Sequence, residues 1–452
     1  MYSKLIFLFA FITIFFYACQ PSAVRETVEP HPVTEEGLIA SALYAAERVD
    51  AGARSDILRR IALMKLAQDD IDAALDFAVQ IPSQSDRDET LADIAIEITG
   101  RGERERARSL TNQIESEYEQ SRVLAGIAVA YEQAEEYRRG RELAETIPDP
   151  NFKARAVAGI AVIYYAEGYG DLASRLFDQA LDAARREQSI THHIESLLYI
   201  SVKYNEAGQT QRAQEVFADA LELTGRINNE SQLVIVWETI LNAYSDAGRD
   251  AAIINEAVNV ARTIGEREEY YKDELLGRIA VAYANAGMYE QMTETTAGIN
   301  DIPLRATTFA QAAVALKENE YDDDGAALFK EALSLAGRID SDIFKQRTLR
   351  EIGIAAVEAS QFSAVDEVLN TLDNKEMLAD VASNAAGKAL ELGEQELFTR
   401  YLEQSIAALD EIEDPVTQSK KLFTVAELYD RSGQTPDEDI NLIVSKVLHA
   451  ID

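Results

Sequence analysis

A short apolar sequence recurs along the chain at intervals of 33 or about 40 residues. Its clearest form is Ile-Ala, and each occurrence stands inside an apolar stretch with helical spacing. The eleven occurrences begin at Ile61, Ile94, Ile127, Ile160, Ile200, Ile240, Ile279, Ala312, Ile352, Ala385 and Val425. The successive intervals are 33, 33, 33, 40, 40, 39, 33, 40, 33 and 40 residues. Because the two lengths differ by about two helical turns, a longer helix keeps its apolar face in the same direction.

Residues 154–181, ARAVAGIAVIYYAEGYGDLASRLFDQAL, form the clearest repeat unit. An apolar helical stripe is followed by a glycine that ends the helix, and a second stripe then begins. The members in order are Val157, Ile160, Ala161, Tyr164, Gly168, Ala173, Phe177 and Ala180. Small residues opposite large ones let two helices pack closely. Each unit is therefore predicted to be a helical pair within one continuous stack.

These residues match the tetratricopeptide repeat in order and spacing, and the chain resembles that family over about residues 55–452. The following unit repeats the match with Leu197, Ile200, Ser201, Tyr204, Gly208, Ala213, Phe217 and Ala220. The chain departs from the family in its longer units and in the second helices at 288–299 and 394–409. The resemblance implies an all-α fold, a right-handed α-α superhelix (a TPR-like solenoid) of about eleven helical hairpins. A lead-in helix is predicted near 36–50.

The only cysteine, Cys19, directly follows an apolar segment. Residues 5–18 carry no charge and follow Lys4. As a helix they would extend about 21 Å, less than the roughly 30 Å hydrocarbon core of a bilayer, as is typical of a signal peptide. Ala18-Cys19 resembles the end of a bacterial lipoprotein signal, although the two preceding residues depart from that pattern. The resemblance implies lipid attachment at Cys19, and an uncleaved membrane anchor is the alternative.

The chain is thus predicted to have three parts: a lipoprotein signal peptide (1–18), a flexible tether (19–34) and a TPR-like α-solenoid (35–452). Residues 20–34 contain three prolines and no helical period. Fully extended, they would reach about 45 Å. The resemblance to a lipoprotein signal implies a protein of the bacterial cell envelope, lipid-anchored to a membrane and either periplasm-facing or surface-exposed.

The acidic composition limits the possible partners. The chain has 43 Lys and Arg against 79 Asp and Glu, a net charge of −36. Nucleic acids and anionic lipid surfaces both select cationic proteins, so neither is predicted to bind the folded body. The charge is also what keeps a long, surface-rich molecule soluble. A single cysteine permits no internal disulfide, so stability must come from packing.

The sequence contains no recognisable catalytic or metal site. His192 and His193 are adjacent, so they point about 100° apart on a helix and cannot chelate one metal as an i,i+4 pair does. They are expected to be exposed near a unit junction. Residues 320–331 resemble a calcium loop, but Phe329 aligns with Phe177 and predicts the second helix of a pair instead. We therefore predict a protein that is not an enzyme and has no cofactor.

The resemblance also implies a binding surface. In this family the first helix of each pair lines the concave side, and the residue two positions after each repeated isoleucine faces the groove. Read in register, these residues are Leu63, Ile96, Val129, Val162, Val202, Asn242, Val281, Val314, Ile354, Gly387 and Glu427. We assign the partner-binding groove to Val129, Val162, Val202, Val281 and Val314. A tightly wound superhelix whose inner wall packs on itself is the alternative.

An open stack of helical pairs offers a long concave surface, for which binding is the expected function. We predict a membrane-tethered scaffold or adaptor that binds another protein, of unknown identity, through that surface. The alternative is an accessory lipoprotein, for example of a transporter, that holds a small apolar molecule inside the superhelix.

Overall fold

The structure, a computed structural model, describes residues 33, 37–48, 51–247, 251–264, 269–318, 322–436 and 438–451. Within these ranges the chain forms α-helices and short 3₁₀ segments, and no strand. The predicted signal peptide, Cys19 and nearly all of the predicted tether lie outside the described residues.

The described helices form eleven consecutive pairs preceded by α1 (Leu38–Arg48). The first helices are α2 (Ala51–Ala67), α4 (Gln84–Gly100), α6 (Glu117–Gln133), α8 (Pro150–Ala166), α10 (Ile190–Glu206), α12 (Glu230–Ala247), α14 (Glu269–Asn285), α16 (Ile302–Glu318), α18 (Asp342–Glu358), α20 (Lys375–Leu392) and α22 (Pro415–Ser432). The second helices are α3 (Ile71–Ala78), α5 (Arg104–Leu110), α7 (Tyr137–Glu145), α9 (Gly170–Ala184), α11 (Thr210–Thr224), α13 (Ala251–Thr263), α15 (Tyr289–Ala297), α17 (Asp322–Ala336), α19 (Phe362–Thr371), α21 (Gln395–Asp410) and α23 (Glu438–Ile451). The predicted all-α superhelix of helical pairs is confirmed.

The repeated apolar residues form the core of the stack. Every repeat position lies in a first helix and is buried. Each first helix packs on the first helix of the next pair as well as on its own second helix. Between the pairs, the Phe177 ring of α9 stacks on the Tyr204 ring of α10 with centroids 3.9 Å apart. One cluster of buried side chains thus runs from Leu38 to Leu448.

The two unit lengths correspond to two kinds of second helix. In the 33-residue units the second helices α3, α5, α7, α15 and α19 contain 7 to 10 residues. In the longer units α9, α11, α13, α17 and α21 contain 13 to 16 residues. The additional residues therefore lengthen the second helix, while the first helices keep 17 or 18 residues.

The chemical character of the buried residue six positions before the repeat also differs between the 33-residue units and the longer units. In the 33-residue units it is polar: Ser55, Asp88, Ser121, Asp273 and Gln346. In the longer units it is apolar: Ala154, Ile194, Val234, Ala306 and Ala379.

The polar residue binds the backbone of the loop that leads to the next pair. Asp88 Oδ2 accepts hydrogen bonds from the N–H groups of Glu115 and Ser116 at 3.2 and 2.9 Å. Asp273 and Gln346 make the same pair of contacts in their units, and Ser55 and Ser121 accept one each. An unpaired buried donor costs about 1–3 kcal/mol, so a loop brought against the first helix by a short second helix needs this acceptor.

The two ends of the stack are in contact. Helix α1 packs on α22 and α23, and α2 contacts α22. Arg60 of α2 donates to Glu427 at 2.9 Å and to Thr424 at 3.1 Å, both in α22. The superhelix therefore closes into a ring, whereas the sequence led us to expect an open stack. The rotation from one pair to the next is set by side-chain packing, which the repeat interval does not encode.

Removing an aromatic ring between units is expected to destabilise the ring strongly. Tyr204→Ala and Phe217→Ala should each lower the free energy of unfolding by about 3–5 kcal/mol, because each leaves a cavity in a packed interior. Glu222→Gln, at an exposed position of α11, should change it by less than about 0.5 kcal/mol. Urea unfolding followed by circular dichroism measures the difference. Similar small effects for all three variants would contradict the assignment of Tyr204 and Phe217 to the buried faces of their helices.

Candidate functional site

First helices, together with Ala286 directly after α14, line a pocket of about 220 Å³ on one wall of the ring. The pocket lies against α12, α14, α16 and α18, and no described second helix contributes to it. Its apolar lining is Leu241, Val281, Ala282, Ala286, Val314 and Ala355, and its polar lining is Glu238, Asn242, Arg278, Asn285, Gln311 and Glu358. Arg278 Nη1 lies 2.9 Å from Glu238 Oε1, which joins α14 to α12 at the edge of the pocket.

Two larger adjoining pockets, of about 750 and 410 Å³, lie where the ends of the ring meet. They share Arg60, Glu391, Glu427 and Arg431. Their lining is more charged than that of the first pocket, and several of these charges form ion pairs. Arg431 Nη2 lies 3.2 Å from Glu391 Oε1, and Arg60 binds Glu427.

Residues two positions after the repeats line all three pockets. They are Leu63, Asn242, Val281, Val314, Ile354, Gly387 and Glu427. Two of the five valines that we assigned to the groove, Val281 and Val314, thus share one pocket. We call the surface formed by the first helices at these positions the inner wall.

The other three assigned valines lie on the consecutive first helices α6, α8 and α10. Val129, Val162 and Val202 are half-buried, and none of them lines the 220 Å³ pocket. Val129 packs on the neighbouring first helix, since a Cβ added at Gly159 would lie 3.0 Å from Val129 Cγ2. These valines are therefore neither closed core nor freely exposed.

In five units the residue immediately before the repeat also lines a pocket, a position that we did not assign from the sequence. Arg60, Arg278, Gln311, Asn384 and Thr424 occupy this position and line the pockets. They lie three residues before the positions that we assigned, and residues three apart share a helix face, so helical spacing could have identified them.

Tyr199 occupies the same position in α10. Its half-buried ring has Arg155 at 4.8 Å and Lys203 at 5.1 Å from the centroid, close enough for cation–π contact.

Glu132, at the C-terminal end of α6, is a buried carboxylate with an unusual environment. Its side chain is fully buried, and no donor reaches either carboxylate oxygen with good hydrogen-bond geometry, although the Tyr164 hydroxyl and the Arg141 backbone N–H lie near enough to favour the ionised form slightly. The nearest cation, Arg141 Nε, is 4.0 Å from Oε1. Gly140 provides the space, because a Cβ there would lie 2.6 Å from Glu132 Cγ. Burial raises the pKa of Glu132 from 4.5 to about 7, and Arg141 partly opposes the rise.

The described residues contain no group of three or more His, Cys, Asp or Glu side chains placed to hold a metal ion. His192 and His193, which we expected to be exposed, are half-buried in the first turn of α10. Leu328 and Phe329 are buried in α17, which confirms the register predicted there. Glu320 lies outside the described residues. No described helix combines the length and the apolar character needed to span a membrane.

The chain matches no protein-family model and no curated protein. It is similar to Ton1535 from Thermococcus onnurineus NA1, with 17% identity, 74% of this chain and 99% of that chain covered, and a TM-score of 0.30. A circular tandem repeat protein with a novel repeat topology shares 14% identity over 92% of this chain and 93% of that chain, with a TM-score of 0.24. Yeast Tom70 shares 11% identity over 85% of this chain and 96% of its own, with a TM-score of 0.23. The fold is therefore assigned from the helical pairs observed in this chain, and not from its similarity to these structures.

Glu132→Gln is expected to stabilise the protein above pH 7. A raised carboxyl pKa means that the folded state favours the protonated form, so the destabilisation is absent below pH 4.5 and complete above about pH 7. At pH 8 the full shift corresponds to about 3 kcal/mol, which is an upper bound on the gain. Urea unfolding of both proteins at pH 4.5 and pH 8 measures it. The exposed Glu142→Gln variant serves as the control, and equal pH dependence of Glu132→Gln and wild type would refute the assignment.

Proposed function

We propose that this protein is a membrane-tethered scaffold of the bacterial cell envelope that binds another protein through the inner wall of its ring. The observation that supports this most is the row of half-buried aliphatic side chains at equivalent positions of five first helices, interrupted once by Asn242 of α12. Its members are Val129, Val162, Val202, Val281 and Val314. Apolar side chains that repeat in register and stay partly accessible offer a partner an extended surface.

The charges around the row define the chemistry of the partner. Glu238, Glu358, Glu391, Glu427 and Asp430 line the pockets of the inner wall together with four cations, Arg60, Arg278, Lys388 and Arg431, so the acidic excess that a partner meets is mainly that of the whole chain, whose net charge is −36. A partner that matches this surface presents an apolar helix or extended segment flanked by basic residues. Attraction between opposite charges would accelerate its association at low ionic strength.

Attachment to the membrane is proposed from the N-terminal sequence. Cys19 would carry the lipid, and residues 20–34 would allow the ring to stand up to about 45 Å from the bilayer. Because the acidic ring itself has little affinity for anionic lipids, the attachment would depend on the N-terminus alone.

The size of the inner pocket favours a protein partner over a small apolar ligand. Ligand sites usually enclose about 300–1,000 Å³. The pocket with the more apolar lining encloses about 220 Å³, which suits one or two side chains of a partner. The larger pockets at the ring junction are charged. Native mass spectrometry of the protein purified from its own membranes separates the two functions, because only a ligand carrier retains a small molecule.

Charges placed in the valine row are expected to abolish partner capture without unfolding the ring. The variant Val129→Asp, Val162→Asp and Val202→Asp should lose the protein that wild type captures from its own membranes, because a partner's apolar side chains cannot pack on carboxylates. The measurement is affinity capture with mass spectrometry, alongside melting by circular dichroism.

The matched control places three aspartates at exposed positions of second helices: Ser174, Gln179 and Gln214. It should capture the same protein as wild type. If the valine variant instead loses helicity or melts far below the control, the row belongs to the core and the proposed groove does not exist.

Cys19→Ser is expected to abolish lipid attachment, because serine lacks the thiol that receives the lipid. The variant should leave the membrane fraction or accumulate with its signal peptide uncleaved. Metabolic labelling with palmitate provides the measurement. Absence of label on the wild-type protein would exclude the lipoprotein assignment.

A further inference from the structure

Glu132 occupies a position at which the other 33-residue units have an uncharged residue. The equivalent position, five residues after the repeat, holds Leu66, Thr99, Ala284 and Val357 in those units, and all four are buried. The Glu132 side chain is buried as completely as theirs, with 0% exposure. An ionisable group is thus placed where packing needs only an uncharged side chain.

The helix opposite contains a matching exception. Gly140 of α7 lies thirteen residues after the repeat, where the other 33-residue units bury Ala74, Ala107, Met292 and Val365. A Cβ at Gly140 would lie 2.6 Å from Glu132 Cγ and 2.8 Å from its Oε1. It would also lie 2.8 Å from the Ala128 carbonyl oxygen, so an alanine would displace either the carboxyl or α7 itself. The two exceptions therefore form one site, in which the carboxyl of α6 fills the space of a side chain of α7.

The groups around this site favour a proton on Glu132. The residue lies in the last turn of α6, where the helix dipole opposes a negative charge. From α7, Arg141 Nε lies 4.0 Å from Oε1, but 48% of the Arg141 side chain is exposed, so water screens its charge. From α8, the Tyr164 hydroxyl is close, and Glu167, directly after α8, adds a second negative charge.

Helices α4 and α5, which also pack on α6, hold charged groups that bind elsewhere. Asp93 of α4 binds Arg122, which precedes Glu132 by ten residues, about 15 Å along the helix. The charged groups beside Tyr131, the residue before Glu132, are Arg104 and Glu105 of α5 with Arg139 of α7, and they bind Glu136, the Tyr131 hydroxyl and Glu136 respectively. None of these contacts supplies Glu132 with a counter-ion.

Helix α7 covers the carboxyl and separates it from water. It contains nine residues, of which only Gly140, Leu143 and Ala144 are buried. A helix of this length is not stable on its own, so α7 depends on its contact with α6. Movement of α7 away from α6 would open the space at Gly140 to water, where an ionised carboxylate is far more stable than in a dry interior.

We infer that Glu132 is a proton-binding site that controls the docking of α7 on α6. When the proton is bound, the carboxyl is neutral and α7 covers it. When the proton is lost, the carboxylate requires water and α7 undocks. Burial raises the pKa of Glu132 to about 7, so the change falls between pH 6 and pH 8. Because the docked state favours the protonated form, docking weakens as the pH rises through 7.

Undocking of α7 would also affect the inner wall. Val129 lies three residues before Glu132 in α6 and packs on Gly159 of α8. Val162 lies two residues before Tyr164 in α8. A partner held by these valines would therefore bind with an affinity that depends on pH, and this consequence rests on the function proposed above.

Hydrogen–deuterium exchange of the full chain, corrected for the intrinsic effect of pH on exchange, tests the inference. For a carboxyl pKa of about 7 when α7 is docked and 4.5 when the group is exposed, protection of the α7 amides should fall about tenfold from pH 6 to pH 8. Glu132→Gln keeps the shape of the protonated acid and should show equal protection at both pH values. The matched control Glu142→Gln, on the same helix and exposed, should behave as wild type. Equal pH dependence of Glu132→Gln and wild type, or none in wild type, would overturn the inference.

A second variant keeps the test decisive if Glu132→Gln disturbs the packing. Glu132→Leu combined with Gly140→Ala recreates the buried pair of the first unit, Leu66 and Ala74. This double variant should protect α7 equally at pH 6 and pH 8. A tenfold loss of protection at pH 8 in the double variant would show that another group is responsible, and would overturn the role of Glu132.

Infrared spectroscopy detects the proton directly. The difference spectrum between wild type and Glu132→Gln at pH 6 should contain the carbonyl band of a protonated carboxylic acid, and this band should be absent at pH 8. Absence of the band at pH 6 would overturn the proton-binding site. Because neither measurement uses a partner, this site and the proposed function can fail separately.

Discussion

The close approach of neighbouring first helices is the constraint on which the whole ring depends. Each first helix buries its repeat residues against its own second helix and against the next first helix, so one face serves two contacts. Small residues make this possible. At Gly353, for example, a Cβ would lie 2.9 Å from side-chain atoms of both Val368 and Val381. Variation is therefore confined to the second helices, whose length changes by about two turns without disturbing the inner layer.

The sequence allowed the helical pairs to be predicted because burial repeats with a helical period. Eleven pairs, the lead-in helix and the place of each repeat in a first helix all follow from that period, and the structure contains them. The hydrogen-bond acceptors at Asp88, Asp273 and Gln346 could also have been found, since in the first ten units a polar residue occurs there only when the unit has 33 residues. Ring closure could not be predicted, because it depends on small rotations summed over many packed interfaces.

The candidate site, like the fold, could be predicted from the sequence only in part. Helical spacing identified one row of residues on the inner wall. Two members of that row, Val281 and Val314, line the same pocket. The same spacing also places residues such as Arg278, one position before the repeat, on this face, but it could not show that Arg278 binds Glu238 of the neighbouring first helix. Nor could it identify Glu132 as a buried carboxylate, since the space for its side chain comes from Gly140 on the next helix.

The placement of the cations links the composition of the chain to its closed shape. With −36 net charge, a ring must bring carboxylates together, and self-repulsion favours opening. Several steps between neighbouring first helices contain a bridge from a cation to a carboxylate. They are Arg59–Glu89, Arg122–Asp93, Arg278–Glu238, Arg350–Asp380 and Lys421–Asp380, and Arg60–Glu427 at the ring junction continues the series. Each partly exposed bridge contributes about 1 kcal/mol or less, so its main effect is to replace a local repulsion with a weak attraction. Salt screens the bridges and the overall repulsion together, so the apolar contacts between helices, rather than the bridges, must supply most of the stability of the closed ring.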